Sequence, residues 1–60
     1  MFAKEFVGLN KTKAVRRAMD FWYKNFLNVL TLKEFFSKCT WRKGRGEIII
    51  TYRGSAPPLR

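Results

Sequence analysis

Histidine is missing from this chain altogether, and cysteine occurs once, as Cys39. Acid is scarce too: Glu5, Asp20, Glu34 and Glu47 face thirteen Lys and Arg, for a formal net charge of +9. Each shortage excludes a class of chemistry. Without His there is no Ser-His-Asp or Cys-His nucleophile system and no zinc site of the Cys/His kind. A lone Cys closes no internal disulfide. Four scattered carboxylates do not make the clustered oxygen site that a hard cation needs. The chain therefore reads as a binding module with no cofactor and no metal, not as an enzyme. Sixty residues rarely enclose the deep pocket that catalysis requires. No apolar run approaches the ~20 residues of a spanning helix. Lys4 and Glu5 interrupt the first segment too early for a signal-peptide core. A reducing, cytoplasmic location is expected.

Aromatic residues are what the chain has in quantity: six Phe, two Trp and two Tyr, 17% of the sequence. A domain this small buries only ~60% of its unfolded surface. With no internal staple, aromatic packing or a partner must supply the missing stability.

The pattern along the chain predicts four elements and a tail. Residues 2–9 read as a strand running into a turn at Gly8 and Asn10. Asn10 or Thr12 can cap a helix that nothing breaks from Lys11 to Asn28. Val15, Ala18, Met19, Trp22, Phe26 and Val29 recur at steps of three or four and predict its buried face. Phe21, Tyr23 and Leu27 fall outside that stripe and form a candidate partner interface. Thr31-Leu32-Lys33-Glu34 matches a capping box, flanked by Leu30 and Phe35 at the positions of a hydrophobic staple. A short helix over about 32–39 follows, ending in a buried Cys39. Thr40 to Gly46 reads as a break, because Gly44 and Gly46 permit turn geometry. Glu47 to Arg53 is the clearest strand, with three consecutive Ile. Residues 55–60, containing Pro57 and Pro58, read as a flexible tail.

The fold class expected is α+β, one domain over residues 1–54. Two terminal strands pair antiparallel against two helices, and a homodimer that joins strand edges would complete the sheet. The alternative takes residues 2–9 as helix. It gives three helices and a C-terminal hairpin around Gly44–Gly46, a winged-helix-like plan with the basic turn as the wing.

Function is read from where the charge lies. Lys11, Lys13, Arg16 and Arg17 crowd the first two turns of the long helix, where the macrodipole disfavours cations. Trp41, Arg42, Lys43 and Arg45 form a second cluster, with Arg53 on the last strand. Cations around an aromatic can hold phosphates while the ring stacks on a base. A small basic regulator that binds DNA or RNA with little sequence readout is the expected function. The competing expectation is a compact protein-interaction module, an inhibitor or adaptor of the kind phages and mobile elements encode. It would dock on an acidic surface of a larger enzyme, with aromatic anchors and cations that steer association.

Overall fold

The computed structural model describes residues 1–58. Its elements are β1 (Phe2–Gly8), α1 (Lys11–Phe26), α2 (Leu32–Ser37), β2 (Cys39–Lys43) and β3 (Ile48–Gly54). The strands form one open antiparallel sheet in the order β1-β3-β2, and both helices lie against one of its faces. This is an α+β fold, and its two terminal strands pair antiparallel.

The segment expected to be a break departs from that reading. Cys39–Lys43 pairs with β3, so only Gly44–Glu47 turns. The Gly44 N–H donates to the Glu47 carbonyl at 2.9 Å, and Gly46 takes a left-handed φ of 71°. The two glycines mark a hairpin turn, and the cations before them sit on an edge strand, where charge guards against unwanted pairing. Each sequence reading thus held one half of the fold: residues 2–9 are a strand, and a hairpin surrounds Gly44–Gly46. β2 adds a third strand from within the chain to the two that the sequence reading paired.

Register decides which side chains reach the core. Phe6 lies opposite Ile50, which lies opposite Trp41; Lys4, Tyr52 and Cys39 form the next row, and Gly8, Ile48 and Lys43 another. These rows face the helices. The alternate residues, Glu5, Thr51 and Thr40 in one row and Val7, Ile49 and Arg42 in the next, occupy the uncovered face. The three Ile of β3 therefore split, Ile48 and Ile50 toward the helices and Ile49 away.

The core is mostly aromatic. Phe6, Phe26, Phe35 and Tyr52 are buried together with Ala14, Ala18 and Ile50. Phe35 stacks on Tyr52 at a centroid distance of 4.6 Å and an interplanar angle of 12°. The Tyr52 hydroxyl donates to the Ser55 carbonyl at 3.0 Å, which anchors the start of the expected tail. Leu59 and Arg60, the end of that tail, lie outside the described residues. Trp22 is half-buried and donates its indole N–H to the Leu30 carbonyl at 2.9 Å, bracing the turn between the helices. Every buried side-chain N or O among the described residues has a hydrogen-bond partner.

Both caps form locally. Asn10 is the N-cap of α1, its Oδ1 accepting from the Lys13 N–H at 2.9 Å. Thr31 and Glu34 make the full capping box, with each side chain accepting from the other's backbone N–H. The hydrogen bond from the Thr31 N–H holds the Glu34 carboxyl below its ordinary range. The helices end earlier than the sequence suggests, α1 at Phe26 and α2 at Ser37. Cys39 is consequently a half-buried strand residue rather than the end of a helical stripe.

The buried face of α1 is also rotated from the expected stripe. Ala18 and Phe26 are buried and Val15 and Trp22 pack beside them as expected, but Ala14 and Phe21 join them, whereas Met19 and Val29 are exposed. The reason is a close approach. A Cβ placed on Gly8 would overlap the backbone of Lys13 and Ala14, so the helix seats on the strand where both surfaces are smallest. Gly8→Ala should destabilise the fold by about 1–3 kcal/mol, the usual effect of overpacking. A urea-unfolding midpoint unchanged from wild type would show that the contact is not tight.

Candidate nucleic-acid interface

The helix layer is narrower than the sheet. α1 packs on β1 and β3, and α2 covers the Tyr52 end of β3. The helix-facing side of β2 near the hairpin is left open, beyond the first turn of α1. There Lys11, Trp41, Arg42, Lys43 and Ile48 line an open groove of ≈ 510 Å³. The Lys11 ammonium sits over the Trp41 ring, 5.5 Å from its centroid. Trp41 points to the helix side of the sheet, yet 45% of it remains exposed. A second open groove of ≈ 680 Å³ shares Lys11 and continues along α1 past Val15, Arg16, Met19 and Tyr23.

The expected binding residues divide among four places. Lys11, Trp41 and Lys43 converge on the first groove, and Arg16 lines its continuation. Lys13 and Arg17 do not join them. Neither lines either groove, and at about 100° per residue they lie roughly 160° and 120° around the helix from Lys11. Arg42 borders the groove, but its guanidinium reaches the uncovered sheet face and pairs with Glu5 at 2.6 Å. Arg53 is exposed on that same face, and Arg45 is exposed in the hairpin turn. Arg16, Lys43 and Arg45 make no ion pair among the described residues.

None of the four acids lines the first groove: Asp20 pairs with Lys24 at 3.1 Å, Glu5 pairs with Arg42 on the uncovered sheet face, Glu34 caps α2, and the Glu47 side chain folds over Gly44 in the hairpin turn. Asp20 does line the second groove, beside Arg16. Lys11 and Lys43 therefore face an external anion with no carboxylate in the lining of their groove. Among the described residues, no three Cys, Asp or Glu side chains come together as a metal-binding group.

The expected partner interface separates as well. Phe21 is not a free anchor. Its ring lies 5.3 Å from Phe6, 5.9 Å from Phe26 and 6.1 Å from Phe2, inside the aromatic cluster. The rotation of α1 toward Ala14 carries it there. Lys4 closes the outer edge of the cluster, its ammonium 5.5 Å from the Phe21 centroid. Tyr23, 62% exposed, and Leu27 stay outside. Met19, four residues before Tyr23, extends them into an exposed stripe that the sequence pattern had assigned to the core.

No helix among the described residues is long and apolar enough to cross a membrane. Comparison with known proteins returns no matching family model, no matching curated protein and no matching solved structure.

Cys39 is a poor nucleophile in this setting. Burial pushes its thiol up to about 11, and its Sγ lies 3.4 Å from the Phe35 carbonyl. The folded state holds the thiol protonated where an unfolded chain would ionise near about 8.5. Stability from this site is complete below that value and is lost as pH rises toward 11. Iodoacetamide should react slowly with the folded protein at pH 8 and accelerate up to about pH 11. A rate that levels off below pH 9 would contradict the buried thiol.

Proposed function

We propose that this protein is a small nucleic-acid-binding module, not an enzyme, that grips phosphates through the groove between the start of α1 and the β2–β3 hairpin. The observation that carries the proposal is the convergence of Lys11 and Lys43 on the exposed Trp41, with Arg16 along one arm and Arg45 at the hairpin tip. Phosphate contacts position a nucleic acid without reading its sequence, which suits a general binder or regulator of DNA or RNA. A reducing, cytoplasmic setting belongs to this reading, because the single Cys39 closes no internal disulfide.

Engagement of four cations (Lys11, Arg16, Lys43 and Arg45) predicts a log–log salt slope near about −3.6 on duplex DNA or −2.8 on a single strand. Two double variants of equal net charge provide the test. Lys11→Gln with Lys43→Gln should weaken binding and flatten the slope by about 1.4–1.8. Lys13→Gln with Arg17→Gln should leave the slope close to wild type. Equal losses in both would mean that diffuse charge, rather than the groove, holds the anion.

A second reading rests on the exposed stripe of Met19, Tyr23 and Leu27 along α1. An apolar stripe beside cations fits an acidic protein surface, with the cations steering encounter. On this reading, a protein retained by wild type after nuclease treatment should be released by Tyr23→Ala with Leu27→Ala, yet still be retained by the Lys11/Lys43 variant. Retention by both variants would remove the stripe from consideration.

A further inference from the structure

We infer that the groove takes an unpaired base against Trp41, so that the preferred nucleic acid is single-stranded. This inference rests on the nucleic-acid reading above and deepens it. Three observations point the same way. Trp41 is held on a paired strand, opposite the fully buried Ile50, so its ring is positioned before any ligand arrives. Trp41 is still 45% exposed, and Ile48 beside it supplies an apolar floor. Lys11 and Lys43 line the same groove as the ring.

A flat aromatic surface with cations around it matches the face of one base and the phosphates that flank it. A duplex does not present that surface: its bases are stacked on one another and show only their edges. The Lys11 ammonium, 5.5 Å from the Trp41 centroid, now occupies part of the position a base would take. Displacing it is favourable, because a cation–π contact at an exposed site is weaker than base stacking on an aromatic. The displaced ammonium stays beside the bound nucleotide, where a phosphate receives it. Lys11 thus covers the ring in the free protein and holds the backbone in the bound one. Base identity contributes little, since every base has a π-face.

The test uses the intact protein and three probes at near-physiological salt: oligothymidylate of about 12 nucleotides, an abasic strand of the same length and charge, and a duplex. The part of the emission change that disappears in Trp41→Ala reports on Trp41, because Trp22 also emits and lines the neighbouring groove. Oligothymidylate should quench the emission and bind more tightly than either the abasic strand or the duplex. Trp41→Ala should lose roughly 5- to 100-fold on oligothymidylate and almost nothing on the abasic strand, and Trp41→Phe should recover most of the loss. The wild-type comparison of base-bearing with abasic strand needs no variant, so a folding defect in Trp41→Ala cannot obscure the outcome. Equal affinity for all three probes without quenching would overturn the stacked base and leave phosphate binding standing. No saturable binding to any probe would overturn both.

Discussion

Phe35 lies flat on Tyr52, 4.6 Å away, and the rest of the molecule is arranged around that stack. Tyr52 belongs to β3, the central strand on which both other strands pair, and Phe35 is the buried residue of α2. Phe26 at the end of α1 reaches the same ring at 5.6 Å, and Phe6 of β1 reaches Phe35 at 6.3 Å. One aromatic cluster therefore joins both helices to the sheet. Aromatic pairs add about 0.5–1.5 kcal/mol each beyond the area they bury. In a chain of sixty residues without an internal disulfide, that surplus takes the place of a covalent staple.

The same economy shapes the surface. Two helices, one of only six residues, do not cover three strands, so the layer above the sheet ends before β2 does. Trp41 and Lys43 point toward the helix side but pass beyond the helices' reach, and Lys11 at the start of α1 meets them there. The candidate interface is a consequence of incomplete cover. Its electrostatics follow from its lining: no acid borders the groove where Lys11 and Lys43 meet Trp41, and the nearby Arg42 is the cation that Glu5 takes up.

Some features were legible because they are local. The capping box at Thr31 and Glu34 depends on residues three apart, and the Asn10 cap depends on its own helix. The strand character of Ile48–Thr51 lies in β-branched side chains. Other features were misread because they depend on a distant neighbour. Cys39–Lys43 carries turn-like cations and becomes a strand because β3 offers it a hydrogen-bonding edge. Met19 fits the helical period of a core residue and is left outside, while Phe21 breaks that period and is packed inside. The missed signal was Ala14, four before the Ala18 already placed in the stripe, together with Gly8: small residues mark where a helix and a strand can meet most closely.

By itself the amino-acid sequence determined the α+β class, the capped helix starts, the excess of positive charge and the reliance on aromatic packing. These follow from composition and from hydrogen bonds within a few residues. Tertiary structure alone decided which cations share a site. Lys11 and Lys43 are thirty-two positions apart and meet because the start of α1 lies beside the hairpin end of β2, an edge strand of the sheet. Lys11 and Lys13 are two apart and diverge, because a helix turns by about 200° between them.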